Sequence, residues 1–217
     1  MDHVISGVAK FQKEVYPNKK AKFQKLATGQ NPEVLFITCS DSRIDPNLVT
    51  QTDPGELFIC RNAGNIVPPH SNQTGGMTAS IEFAVAALGV SHIVICGHTD
   101  CGAMKGAINP EGLSALPHVK EWLGHCRVAT EVVKERCGHS ELSLDDLEAV
   151  TKENVVQQIQ HLRTHPAVAA KIATGQVKLH GWVYNIGSGE VLYYNTETGD
   201  FDVMDESTAE AQLAHGE

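Results

Sequence analysis

Several things are missing from this chain of 217 residues, and each absence narrows what it can be. No apolar run approaches the ~20 residues that a membrane-spanning helix needs. The opening Met1-Asp2-His3 lacks the basic-then-apolar layout of a secretion signal, so a soluble, cytoplasmic protein is expected. Basic residues are scarce: 17 Lys and Arg against 26 Asp and Glu leave a formal charge of −9 with histidine neutral. Such a surface repels phosphate backbones, which sets nucleic acid aside as a partner. Internal repeats, low-complexity tracts and linker-like stretches are absent too, so residues 1–217 are expected to form one domain, with a frayed polar tail from about 205 onward. No Cys-x-x-Cys pair occurs, which removes the usual dithiol redox motif.

What is present is a globular composition, 41% hydrophobic and 20% charged, with six cysteines and eleven histidines. The first thirty residues read as helix, with Val4, Val8 and Phe11 on one face and Phe23 and Leu26 on a second, up to Gly29. Val34 to Thr38, Glu56 to Cys60 and Ile93 to Cys96 are short apolar runs, the pattern of strands buried on both faces. Helical composition from Thr78 to Leu88 separates the second from the third. Strands separated by helices imply an α/β fold with a mainly parallel central sheet flanked by helices.

Further on, Val119, Trp122, Leu123 and Cys126 repeat at helical spacing, and Gly138 is the expected stop. Ser143 and Asp146 form a capping-box pattern at the head of a helix carrying Val155, Ile159 and Leu162, which His165-Pro166 ends. Val177 to Ile186 and Val191 to Tyr194 flank Gly187-Ser188-Gly189. They predict an antiparallel hairpin at one sheet edge.

Two clusters carry chemistry, and both follow a predicted parallel strand: Cys39-Ser40-Asp41-Ser42-Arg43 and Gly97-His98-Thr99-Asp100-Cys101-Gly102. Sites in open parallel sheets form beyond the carboxyl ends of the strands, so neighbouring strands would bring Cys39, His98 and Cys101 together. Two thiolates and one imidazole suit zinc, and three protein ligands leave the fourth position open, as catalytic sites require. Zinc makes hydroxide from bound water near neutral pH. Asp41, two residues from a ligand, can accept that water's hydrogen bond or occupy the fourth position, and Arg43 can hold its carboxylate by a bidentate pair. Taken alone, the first cluster also reads as a turn whose Asp and Ser cap the next helix. A phosphatase-type thiolate loop fails, because an arginine is needed where Asp45 stands. Cys60, Cys96 and Cys126 read as core residues, whereas Cys137 at a helix end has no assigned role. His70, His118, His125, His139, His161, His165 and His180 lack ligand-like spacing and read as surface or capping residues.

At these residues the sequence resembles the β-class carbonic anhydrases. The likeness runs from about Ile5 to Phe201 through both clusters and the stretch from Gly55-Glu56-Leu57-Phe58 to Arg61-Asn62-Ala63-Gly64-Asn65. The run from Leu35 through Leu48 is most like cyanobacterial and related bacterial members, including carboxysomal ones. Those carry a C-terminal extension not found here, so the expectation stays cytoplasmic rather than encapsulated. The resemblance implies reversible hydration of carbon dioxide to bicarbonate and a proton. It implies one zinc per chain on Cys39, His98 and Cys101, and an Asp41–Arg43 dyad orienting the hydroxide. Gln30, Phe58 and Phe83 would line a small apolar substrate pocket, with the Gly102 amide near substrate oxygen.

Phe83 stands where many plant-type members have tyrosine. Phe36 and Thr38 stand where a bicarbonate-inhibited subgroup has tryptophan and glycine, which implies an open dyad without that allosteric site. The family also implies a homodimer with N-terminal helices packed on the partner, assembling to tetramers or larger. Two other functions share these residues: a carbon disulfide or carbonyl sulfide hydrolase, and an inactive zinc–thiolate sensor. Asp41 and Arg43 argue against the sensor.

Overall fold

The computed structural model describes residues 1–72 and 74–214, the side chains of 211–214 excepted. The chain expected to be one domain divides into two compact units, Met1–Asn31 and a second beginning at Pro32. In the first, α1 (Asp2–Lys10) runs through a π-helical turn, Phe11–Val15, into α2 (Tyr16–Leu26). The widened turn has a chemical cause. Pro17 sits at the start of α2 and has no amide to donate, while the Tyr16 amide reaches back to the Phe11 carbonyl. Phe11, Tyr16 and Phe23 cluster across this turn, with ring centroids 5.5 to 6.2 Å apart. No α1 residue is buried, and Val4, Ile5 and Val8 are exposed.

The second unit is built on a six-stranded sheet among the described residues. Its first three strands are β1 (Val34–Cys39), β2 (Leu57–Asn62) and β3 (His92–His98). They are followed by β4 (Lys178–Tyr184), β5 (Val191–Asn195) and β6 (Asp200–Val203). The strand order is β2-β1-β3-β4-β5-β6, parallel through β4 and antiparallel for the last two pairs, as the α/β pattern with an edge hairpin predicts. The sequence did not signal β6: Asp200-Phe201-Asp202-Val203 is short and half acidic, as an edge strand tolerates.

β1 and β3 are buried on both faces, which explains their unbroken apolar runs. Leu35, Ile37, Ile93 and Ile95 share one core with Val155, Ile159 and Leu162 of α8 (Leu147–Thr164), while Phe36, Val94 and Cys96 belong to another on the opposite face. The capping box at Ser143 and Asp146 opens the short 3₁₀ turn leading into α8, and His165 ends it before α9 (Pro166–Ala173).

The helix expected from Val119 to Gly138 is interrupted. α6 (Pro117–Leu123) and α7 (Arg127–Cys137) are separated by a 3₁₀ turn at Gly124–Cys126, where the poor helix former Gly124 admits a tighter register. Gly138 does end α7, at φ 69°. Beyond Asp205, where a frayed tail is expected, Glu206–Ala214 forms a helix, and the Asp205 carboxylate accepts from the Thr208 amide at 2.8 Å. Residues 215–217 of that tail lie outside the described residues.

Candidate metal centre

β1 is followed in the chain by β2 on one side and then by β3 on the other. The loops leaving β1 and β3 therefore open a crevice at the carboxyl ends of adjacent strands. Thr38 lies opposite Cys96 in register, which puts Cys39 beside the end of β3. The Thr38 hydroxyl donates to the Cys96 carbonyl at 2.8 Å and fixes this end of the pair. Cys39, His98 and Cys101 are all buried, and one donor atom of each lies within 4.8 Å of the others. The two sulfurs are 3.9 Å apart.

Each donor is held from behind. The Gly64 amide donates to Cys39 Sγ at 3.4 Å, and Gly64 itself (φ 83°) takes a left-handed conformation in which a Cβ would come within 2.9 Å of Met104 Cε. His98 Nδ1 donates to the Thr99 carbonyl at 2.8 Å, which leaves the Nε2 lone pair facing the sulfurs. Among the described residues Nε2 forms no hydrogen bond, although the side chain is fully buried. A buried acceptor without a donor costs free energy unless something else takes its lone pair. Two thiols and this orphaned imidazole nitrogen are the donor set of a zinc ion, and the residues fit it.

The electrostatics point the same way. The hydrogen bond from Cys101 draws the Cys39 thiol well below the usual thiol range against the effect of burial, helped by His98 and the Gly64 and Asp41 amides. Cys101 is pushed up, first by that same bond to Cys39 and then by burial. The pair thus gives up one proton readily and resists losing the second, a resistance that a divalent cation removes. Burial lowers the His98 imidazole, but the Cys39 sulfur, the Thr99 carbonyl and Asp41 outweigh it.

Asp41 and Arg43 meet as the sequence spacing predicts. Arg43 Nε donates to Asp41 Oδ1 at 2.9 Å and Nη2 to Oδ2 at 2.7 Å, while the Arg43 amide adds a third bond to Oδ1 at 3.0 Å. These bonds hold the Asp41 carboxyl well below the usual carboxylate range. Its Oδ2 stands 3.9 Å from His98 Nε2, at the edge of the donor cluster. The capping alternative for this turn does not apply, since α3 (Pro46–Thr50) is capped by Asp45, which accepts from the Asn47 and Leu48 amides.

Three residues escaped the sequence reading. Arg61 braces the turn by donating to the carbonyls of Cys39 (2.9 Å), Asp41 (2.7 Å) and Ile44 (3.0 Å). Asp100, at φ 57°, accepts from Arg43 Nη1 at 2.9 Å and pairs with Lys105. Thr99 locks the β3 loop to the turn after β4, its hydroxyl accepting from the Ile186 amide at 3.0 Å. Only Asp100 had a local signal, as one of the residue types that tolerate positive φ.

The expected pocket residues come from several separate elements. Gly102 opens α5 (Gly102–Ile108) directly after Cys101, and nothing lies within 4 Å of where its Cβ would be. Phe58 and Phe83 pack on each other with centroids 6.0 Å apart. Phe58 is opposite Leu35, four residues before Cys39, so it lies roughly 13 Å along the strands from the donor cluster of its own chain. Gln30 belongs to the other compact unit.

A crossover sheet whose strand ends carry a buried sulfur–nitrogen donor set defines an α/β metalloprotein with a catalytic style of site. The carbonic anhydrase family model matches residues 34–191. The chain is 45% identical to a carbonic anhydrase of Synechococcus elongatus over 95% of its own length and 76% of the relative's. It is 48% identical to one from Pseudomonas aeruginosa, over 88% and 86%. Among solved structures, the β-carbonic anhydrase CcaA superimposes with a TM-score of 0.90 at 41% identity, covering 94% of this chain and 99% of that one. Tetrameric β-carbonic anhydrases of Sordaria macrospora give 0.76 at 31% identity, over 88% and 95%. The chain belongs to the β-class carbonic anhydrase family.

Proposed function

We propose that this chain catalyses the reversible hydration of carbon dioxide to bicarbonate and a proton, with one zinc held by Cys39, His98 and Cys101. The observation that carries the reading is the orphaned His98 Nε2 facing two thiols, with Asp41 at the edge of the cluster. When bound, zinc supplies a nucleophilic hydroxide at neutral pH by lowering the pKa of water, a chemistry whose reference case is the three-histidine carbonic anhydrases.

The chain's own residues do the rest. The Thr99 carbonyl fixes the His98 tautomer, and the thiolates of Cys39 and Cys101 would balance the charge of a bound dication. Asp41, held as an anion by Arg43, would accept a hydrogen bond from a water or hydroxide seated at the edge of the donor cluster and so help to orient it. Carbon dioxide is small and apolar and needs a dry niche with little polar recognition, a role suited to Phe58, Phe83 and Gln30, with the Gly102 amide toward substrate oxygen. The distance of Phe58 from its own donor cluster favours a niche completed across a subunit boundary. The exposed apolar side chains of α1 favour the same homodimer, assembling to a tetramer or larger. Among the described residues no helix is long and apolar enough to cross a membrane. Thiolate ligands call for a reducing compartment, so the cytoplasm is the proposed location.

Stopped-flow hydration of carbon dioxide, run with metal analysis across neutral to mildly alkaline pH, tests the proposal. Turnover that scales with one zinc per chain is expected. Fully zinc-loaded protein that hydrates no carbon dioxide, or instead releases sulfide from carbon disulfide, overturns it.

A further inference from the structure

We propose that Cys137, His139 and Asp146 form a second metal site, for a borderline divalent cation of the zinc type, separate from the Cys39–His98–Cys101 centre. One donor atom from each of the three residues lies within 4.8 Å of the other two. They come from two turns that face each other where α7 ends and α8 begins.

Both turns are fixed by their own hydrogen bonds. Gly138 takes the left-handed conformation at φ 69°, and the His139 amide donates back to the Lys134 carbonyl at 3.0 Å, closing the end of α7. That closure sets the direction in which Cys137 and His139 leave the helix. On the opposite side Asp146 is held by the capping box: its Oδ2 accepts from the Ser143 amide at 2.8 Å and lies 3.4 Å from the Ser143 hydroxyl. Its Oδ1 is thereby left for His139 Nδ1, 3.1 Å away. The Asp146 side chain is only 7% exposed, so this carboxylate is a built-in group rather than a waving surface acid. Alongside, Arg136 Nη2 and Glu153 Oε2 at 3.2 Å tie α7 to α8.

The donor chemistry selects the class of ion. Thiolate, imidazole and carboxylate together suit zinc and its neighbours, whereas magnesium and calcium favour all-oxygen shells. The last carbonyls of α7 add the negative end of the helix dipole. Cys137 and His139 are exposed, which gives the ion an entry path and leaves its remaining position to water. The plainer alternative is an ordinary His139–Asp146 ion pair with Cys137 a bystander. It differs in one measurable respect: no sulfur would touch a metal.

The test takes zinc-loaded protein, with one equivalent already bound, and dialyses it against cobalt(II). The expected result is one further metal equivalent per chain, with a near-ultraviolet sulfur-to-cobalt charge-transfer band and the original zinc retained. Cys137→Ser should abolish the band, and Cys137→Ser and His139→Gln should each weaken the second equivalent by at least about tenfold. Both positions are exposed, so neither substitution threatens the fold. Total metal remaining at one per chain overturns the proposal. So does a second equivalent without the band, or one indifferent to both substitutions.

Discussion

Arg43 Nη1 donates to Asp100 Oδ2 at 2.9 Å, so the guanidinium that grips Asp41 is itself gripped from the loop after β3. Arg43 Nη2 also lies 3.2 Å from the Asp100 carbonyl, and Lys105 pairs with the same carboxylate. Arg43 is 43% exposed, and without Asp100 its long side chain would sample more rotamers and place Asp41 less sharply. Asp100→Ala should therefore lower kcat roughly tenfold, since misplacing a catalytic group by an ångström costs up to about 100-fold. Asp100→Asn keeps a carbonyl acceptor and tolerates the positive φ, so it should recover most of the loss. Zinc content should match wild type in both. Equal kcat in all three proteins would show that Asp100 does not position the arginine.

Asp41 is the sharper probe of the chemistry. Asp41→Asn preserves shape but removes the charge that Arg43 holds, and it introduces an amide donor where an acceptor is required. Turnover should fall by about 100-fold or more while each chain keeps one zinc. Cys101→Ser should do the opposite in sequence, losing the metal first and activity as a consequence. Metal analysis beside stopped-flow rates separates the two, and near-normal turnover in Asp41→Asn would refute the proposed dyad.

The close approach of α8 to the sheet gives a stability prediction at Gly181 on β4. A Cβ there would come within 2.9 Å of both Ile159 Cδ1 and Val155 Cγ1, and within 3.2 Å of Tyr194 Cβ. The two helix side chains are packed in the main core and have no room to withdraw. Gly181→Ala should destabilise the fold by about 1–3 kcal/mol, the usual cost of overpacking. Urea unfolding of the two zinc-loaded proteins measures it; an unchanged midpoint would mean that α8 can shift freely.

These cases show where a sequence speaks plainly. β1 and β3 were legible because burial on both faces forces unbroken apolar runs, and the capping box was legible because its two residues stand three apart. The meeting of Cys39, His98 and Cys101 was legible because each cluster follows such a strand, so adjacency needed only a neighbouring pair. Asp100 was not, since its role depends on a left-handed backbone and on an arginine 57 positions away. Nor was the meeting of Cys137 with Asp146, which requires two helix termini to close on each other. The break at Gly124 was masked because Val119, Trp122, Leu123 and Cys126 keep helical spacing up to the tighter turn. In each miss a contact between separate elements decides what local periodicity cannot express.

The last prediction concerns acid stability. His92 Nδ1 and His180 Nε2 are 2.9 Å apart across β3 and β4, close enough that one ring must donate and the other accept. Burial, then the charges of His92 and Lys178, push the His180 imidazole down to about 4. An unfolded histidine titrates near about 6.5. Above that pH neither state takes up a proton here, and this stabilising contribution is whole. As pH falls from about 6.5 toward 4, the unfolded chain binds the proton first, and stability is lost through that window. Half-burial of the ring argues for a loss of about 2 kcal/mol rather than the full value of the shift. His180→Gln keeps a neutral hydrogen-bonding partner for His92 but cannot titrate. Unfolding free energies at pH 7 and pH 4.5 should therefore differ by about 2 kcal/mol less in His180→Gln than in wild type. Acid-induced loss of zinc acts on both proteins and cancels in that comparison. Identical slopes would place the acid sensitivity elsewhere in the fold.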